Sequence, residues 1–246
     1  MKTKIVILAA GKGTRMGSEL PKALVPLKGR PMIIHLIESV VSSGVDDLPI
    51  VVVSPDNKEI ISRTLADYDC DYAIQEQQLG SGHAVACTRH KIPADTDNVM
   101  VLYCDHPFVT APSIKKFGEF MTEAVTIMPT ELDNYDDWHQ NFFHWGRIVR
   151  DNNKEVEKIT EFKDASPEEI KITEVNPGFM CFNNKWLWNN IDFLNNNNGS
   201  KEYYLTALVE MAFKQKYKIG TINIEPHEAM GINSKEELAI AEGLVS

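Results

Sequence analysis

The segment that most constrains this chain lies directly after its first apolar run. Lys4 to Ala9 (KIVILA) is a short hydrophobic stretch of the kind that forms a buried strand. It opens into Ala10-Gly11-Lys12-Gly13-Thr14-Arg15-Met16-Gly17, and Pro21-Lys22 follow in the same loop. Small residues at a strand end let the main chain approach a ligand, and consecutive N–H groups can cradle phosphate. Arg15 and Lys22 add fixed positive charge. Two common phosphate loops are excluded. A Walker loop needs Gly-Lys followed by Ser or Thr, and here Gly11-Lys12 precedes Gly13. The dinucleotide fingerprint needs a third glycine at position 16, which is Met16.

Charge distribution agrees with an anion-binding loop. Residues 1–30 hold seven Lys/Arg against Glu19 alone, a local +6 on a chain of net charge −10, so the remainder carries −16. The acidic balance argues against nucleic acid as a bulk partner, whereas a small basic focus suits a compact anion such as a triphosphate. No apolar run of about 18 residues is present to span a membrane as a helix, and residues 5–10 are too short for a signal peptide. The four cysteines (Cys70, Cys87, Cys104, Cys181) show no metal or redox spacing and read as core residues of a cytoplasmic protein.

Patterning along the rest of the chain predicts an α/β protein. A helix is expected from Pro31 to Ser43 with Gly44 as its stop, a strand at Leu48–Val53, and a helix from an Asp56 cap to Ala66. A short strand at Tyr72–Ile74, a helix at Gly82–Arg89, a strand at Asn98–Tyr103 and a helix at Pro112–Met121 follow. Alternating strands and helices imply a Rossmann-like, mainly parallel sheet flanked by helices. The second half is richer in β signals. Gly146–Arg150 and Glu155–Glu161 flank the turn Asp151–Lys154, Val175–Phe182 reads as one strand, and Asn195–Gly199 as a surface loop. Glu202–Phe213 reads as a helix, Ile219–Ile224 as a strand, and Ser234 with Glu237 as the capping box of a last helix. The expectation is a single domain over 1–246, an α/β half with a more β-rich half folded against it.

The loop L-A-A-G-x-G-x-R-M with its Pro-Lys pair resembles the signature of the sugar nucleotidyltransferases, whose fold is the nucleotide-diphospho-sugar transferase type. Further stretches are similar to the bacterial uridylyltransferase domains acting on N-acetylglucosamine 1-phosphate. These are Gln75–Ala84, Leu102–Asp105, Gly146–Val149, Glu161–Ala165, Glu174–Gly178, Glu202–Thr206 and Gly231–Asn233, in order and across the whole chain.

The resemblance implies roles residue by residue. Leu8, Ala9, Ala10, Gly11 and Gly13 would line the nucleotide, with Arg15 and Lys22 on its phosphates. Gln75, Gln78, Gly80 and Ser81 would face the base, an amide offering both the donor and the acceptor that uracil requires. Asp105 and Asn233 would hold Mg²⁺, a cation that takes few protein oxygens plus phosphate. Tyr103, Gly146, Glu161, Asn176 and Tyr204 would surround the sugar, making Arg15, Lys22 and Asp105 the catalytic set. The implied reaction joins UTP to a sugar 1-phosphate and releases pyrophosphate. Small molecules would be the only partners implied, with the oligomeric state left open. Bifunctional relatives continue into a left-handed β-helix with acetyltransferase activity; no such repeat occurs here, and no acetyl transfer is expected.

Competing readings attach to single residues. Asp105 could cap the following turn, Gln75 and Gln78 be loop residues, Glu161 a hairpin surface charge, Tyr204 a core aromatic and Asn233 a helix-entry residue. For the whole chain the alternatives are a cytidylyl- or thymidylyltransferase, or one acting on another phosphorylated acceptor, a non-catalytic nucleotide-binding or regulatory module, and a Rossmann dehydrogenase, which the failed glycine pattern weakens. Four departures from the family pattern stand out, three of them near or beside the sugar site that the resemblance implies: Cys104 in place of Gly, Pro177 after Asn176, Ala207 where Asp is common, and a longer aromatic insert at Leu132–Trp145. That insert reads as a lid, a dimer contact or a variable loop.

Overall fold

The computed structural model describes all residues except 12, 14, 15, 18, 19, 122, 123, 245 and 246. Strand β1 (Thr3–Leu8) is buried along its whole length, as its unbroken apolar run requires of a central strand covered on both faces. It is flanked by β4 (Ile50–Val53) and β6 (Asn98–Tyr103), both parallel to it, and β5 (Asp71–Ile74) extends the sheet beyond β4. The chain then turns back. Strand β12 (Met180–Asn183) runs antiparallel to both β6 and β7 (Val125–Ile127), and β13 (Gly220–Thr221) pairs parallel with β7. The sheet therefore reads β13-β7-β12-β6-β1-β4-β5, mixed and mainly parallel, as expected.

Two apolar layers cover this sheet. Ile5 and Ile7 face a core shared with α1 (Met32–Ser43) and α4 (Ala111–Glu119); Val6 and Leu8 face one shared with α3 (Ser81–Ala86), α5 (Asn184–Asn190) and α6 (Ala207–Lys214). Burying one Leu- or Ile-sized side chain contributes roughly 1.5–3 kcal/mol, so these two layers dominate the stability. A second, four-stranded antiparallel sheet is built from β10 (Val156–Thr160), β9 (Gly146–Arg150), β11 (Glu174–Asn176) and β8 (Thr130–Glu131). A two-stranded ribbon, β2 (Pro26–Leu27) with β3 (Arg30–Pro31), precedes α1. Among the described residues no helix is long and apolar enough to cross a membrane.

Several local expectations are corrected. The run Val175–Phe182 is two strands in two sheets, parted after Asn176, where Pro177 has no N–H to give to a ladder. The helix read from Glu202 begins only at Ala207, because the main chain of the preceding segment is spent elsewhere. The Tyr203 N–H donates to Leu79 O at 2.8 Å, and Tyr203 O accepts from Gly82 N at 2.8 Å. Helix α2 (Lys58–Thr64) is entered through Asn57, not Asp56. The buried Asn57 amide accepts from Ser54 N at 2.9 Å and donates to Ala9 O at 2.9 Å, tying this turn to the end of β1. Only Gly220–Thr221 of the last expected strand is ladder-paired as one, with Ile222 N and Ile224 N bonded onward to Ile127 O and Pro129 O. At the last helix, α8 (Lys235–Leu244), Ser234 Oγ accepts from Glu237 N at 3.2 Å, while the Glu237 carboxylate accepts from Asn233 N in place of Ser234 N.

Candidate active site

The strands run outward in sequence on both sides of β1, with β4 and β5 on one side and β6 on the other. That arrangement leaves a crevice beyond their carboxyl ends, the usual ligand position in open α/β sheets. A cleft of about 640 Å³ opens there. Its walls include Leu8, Ala10, Gly11, Gly13 and Lys22 from the loop after β1, and Gln75, Gln78, Gly80 and Ser81 from the loop after β5. Tyr103 and Asp105 follow β6, and Glu161, Tyr204 and Asn233 come from the second half of the chain. Fourteen residues singled out from sequence thus meet in one cavity.

Three others stand back from the wall. Ala9 is buried and hydrogen-bonded to Val52 O and Asn57. Gly146 lies behind Glu161: a Cβ there would sit 3.0 Å from Ile159 Cγ2 and 3.5 Å from Glu161 Oε2. Asn176 is buried with an Oδ1 that has no hydrogen-bond partner among the described residues. Arg15 lies outside the described residues.

At one end of the cleft, three distant segments converge on a single ammonium. Lys22 opens the 3-10 turn after Pro21, and Gly13 folds back onto it so closely that a Cβ at position 13 would stand 2.7 Å from Lys22 Cβ. Lys22 Nζ donates to Asp105 Oδ2 and, at 2.7 Å, to Asn233 Oδ1. The main chain repeats the link, Ile232 N donating to Asp105 O at 2.9 Å. Burial pushes the Asp105 carboxyl up, but the Lys22 ammonium, with His106 contributing, holds it net below the usual carboxylate value. Asp105 is therefore an anion at neutral pH, which the reading of it as a cap for the following turn does not require. One carboxylate and one amide oxygen aimed at one cationic point also suit a hard divalent ion such as Mg²⁺. Among the described residues no cluster of three His, Cys, Asp or Glu side chains could hold a metal, so further ligands would come from bound phosphate or water.

The opposite wall is built from the second half. Glu161 ends β10, and its Oε1 accepts from Thr206 Oγ1 at 2.8 Å. Burial raises its pKa, the Thr206 bond opposes that, and Asp164 and Glu202 add to the rise. The Tyr103 phenol, bonded to Ser81, is pushed up by burial and stays neutral. The buried Gln75 amide nitrogen donates to Gly80 O at 3.1 Å and lies 3.1 Å from His83 Nδ1, which fixes the amide's orientation. Gly80 sits at φ 113°, and a Cβ there would meet Tyr203 N and O at 2.8 Å, so only glycine fits. This clasp, with Leu205 N donating to Ser81 Oγ at 3.0 Å, joins the loop after β5 to the segment carrying Tyr204.

Sequence reasoning left Ala84, Cys104 and Glu202 unassigned to the cleft they also line. The signal for Glu202 was present, since it heads the matched stretch Glu202–Thr206. Cys104 is buried without a positive φ, so its Cβ is accommodated, and burial pushes its thiol up to about 12. The aromatic insert is packed inward: Phe142 is fully buried, and Trp138 and Trp145 join the core. Beneath it Arg147, fully buried, donates to Trp145 O, to Phe143 O at 2.7 Å and to Ile170 O at 3.3 Å, with the Tyr135 ring 4.9 Å away.

Fold and cleft together define an α/β protein of the nucleotide-diphospho-sugar transferase type, with an open cleft at the carboxyl edge of the sheet. The sequence model of the MobA-like NTP transferase domain matches residues 5–161, and the chain belongs to that family. It is 40% identical over 248 residues to the bifunctional protein GlmU of Clostridium novyi (strain NT), covering 100% of this chain and 52% of the relative. It is 38% identical to that of Caldicellulosiruptor saccharolyticus over 98% of this chain and 51% of the relative. With that of Desulfotalea psychrophila it shares 37% over 97% of this chain and 69% of the relative. The chain thus spans about half the length of the first two. The resemblance read from the motifs is borne out along the whole sequence.

Proposed function

We propose that this chain transfers the uridylyl group of UTP to a sugar 1-phosphate, with N-acetylglucosamine 1-phosphate as the acceptor, and releases pyrophosphate. The observation that carries the reading is the collection of one ammonium by Asp105 and Asn233, at the phosphate end of a cleft whose far wall is Glu161 and Tyr204.

The chemistry needs no covalent enzyme intermediate. The sugar phosphate is already a dianion at neutral pH, its second pKa lying near about 6. One of its oxygens forms a bond to the α-phosphorus while the bond to the β-phosphate oxygen breaks, and pyrophosphate departs with the electron pair. The obstacle is repulsion between polyanions, so orientation and charge neutralisation supply most of the rate. Lys22 and Arg15 would offset the charge of the triphosphate and of the leaving pyrophosphate. Asp105 and Asn233 would hold Mg²⁺, which when bound supplies further neutralisation between the phosphates. Gln75 and Gln78 would read the uracil edge, and Ser81 and Gly80 would border it. Tyr103, Glu161 and Tyr204 would take the sugar, backed by Gly146 and Asn176.

The test is pyrophosphate release with Mg²⁺ and each of UTP, CTP, dTTP, ATP and GTP against a panel of sugar 1-phosphates. Release confined to UTP with N-acetylglucosamine 1-phosphate is expected. Preference for CTP or dTTP would overturn the role given to Gln75 and Gln78, and silence across the panel would overturn transfer itself.

A further inference from the structure

His106 follows Asp105 directly and has no part in the reading above. Its ring is 4% exposed and enclosed edge-on by Phe179 at 4.8 Å, Trp145 at 5.4 Å and Tyr103 at 6.3 Å between ring centroids. Nδ1 lies 2.8 Å from Ala229 O. A carbonyl oxygen only accepts, so Nδ1 carries the proton and donates it. Gly231 lies against the same ring, where a Cβ would stand 2.8 Å from Cε1 and 2.9 Å from Nε2. Two residues further on is Asn233, whose Oδ1 meets Lys22 Nζ.

We infer that His106 is a positioning residue. By donating to Ala229 O and packing against Gly231, it sets the 229–233 segment so that the Asn233 oxygen stands beside Asp105. It rests on the proposed Mg²⁺-dependent transfer, and adds a residue to it. Segment 229–233 pairs with no strand among the described residues. Apart from the turn bonds of Ala229 N to Glu225 O and Met230 N to His227 O, the bonds that hold it to the rest of the fold include Ala229 O from His106, Ile232 N to Asp105 O, Asn233 N to the Glu237 carboxylate and Asn233 Oδ1 from Lys22. Two of these run to the adjacent pair Asp105 and His106, so one short stretch after β6 helps to set both oxygens of the candidate cation site. The aromatic insert enters this corner through Trp145, which makes it a buttress of the phosphate end.

The test compares wild type with His106→Leu, His106→Asn and Gly231→Ala. The readouts are Mg²⁺ half-saturation of pyrophosphate release and Mn²⁺ affinity of the UTP-loaded protein by titration calorimetry. Loss of a supporting group behind a metal ligand typically weakens metal binding by about 10- to 100-fold, and that is expected for His106→Leu on both readouts. His106→Asn keeps an N–H at the Nδ1 position and should restore most of the loss. Gly231→Ala leaves the imidazole in place yet crowds it, and should weaken Mn²⁺ in the same direction; it carries the test if His106→Leu does not fold. A His106→Leu protein with wild-type metal affinity overturns the proposal, as does His106→Asn as weak as His106→Leu. Wild type that takes up no Mn²⁺ with UTP overturns the functional reading, and this inference with it; that failure is distinct because it needs no substitution.

Discussion

Replacing Lys22 by Met removes the ammonium on which Asp105 and Asn233 converge while keeping the length of the side chain. The Lys22 and Asp105 side chains are only 15% and 12% exposed, so the value for a broken buried pair applies. That value is about 3–5 kcal/mol, against less than about 1 kcal/mol for an exposed pair. The pH dependence should also change sign. In wild type the Asp105 pKa lies below its ordinary 3.8, so its stabilisation is present above pH 3.8 and is lost as pH falls through the folded value. Without Lys22 the dominant influence left is burial, which raises the folded pKa. The variant should then be least stable at neutral pH and regain stability as pH falls through that raised value. Urea unfolding of both proteins near about pH 7 and about pH 5 measures this directly. A loss below about 1 kcal/mol at neutral pH, or parallel pH profiles, would refute the buried-pair argument.

Three further predictions follow the same reasoning. Gly80→Ala forces a Cβ onto Tyr203 at φ 113° and should cost about 2–4 kcal/mol in urea unfolding, from backbone strain and the broken clasp; a change under about 0.5 kcal/mol contradicts that. Glu161→Gln keeps an acceptor for Thr206 and removes a half-buried carboxylate whose charged form burial disfavours. Because the Glu161 pKa is raised, wild type loses stability as pH rises through its folded value, so the variant should match wild type below pH 4.5 and exceed it at neutral pH, with a higher KM for the acceptor alone. A variant less stable than wild type at neutral pH would show the carboxylate to be favourably held. Arg147→Met strips the donors from three backbone carbonyls under the aromatic insert and should cost about 3–5 kcal/mol by thermal or urea unfolding; near-neutral stability would mean that water replaces the guanidinium.

The strands of the central sheet were legible because their apolar runs are short and bounded. Asn98–Tyr103 is found at its predicted limits, and Gly11, Gly13 and Lys22 line the cleft at the sheet's carboxyl edge. Period alone cannot say which sheet a run joins, so Val175–Phe182 was read as one strand although its halves pair with β9 and β6. Helical spacing from Glu202 onward misled for a related reason. The bonds from Tyr203 to Leu79 and Gly82 reach more than a hundred residues back, and no local pattern encodes them. His106 and Arg147 are given no role from sequence because charged or polar types read as solvent-facing by default. Their partners, Ala229 O and the carbonyls of the insert, are main-chain atoms that side-chain identity does not reveal.

The most direct measurement is phosphorus NMR of a reaction containing the protein, Mg²⁺, UTP and N-acetylglucosamine 1-phosphate. The account predicts loss of the sugar phosphate resonance with equal gain of pyrophosphate and of a sugar-linked diphosphate, and no product from the Asp105→Asn protein. UTP consumed to pyrophosphate or phosphate with the sugar phosphate unchanged, or product formed undiminished by Asp105→Asn, would contradict it.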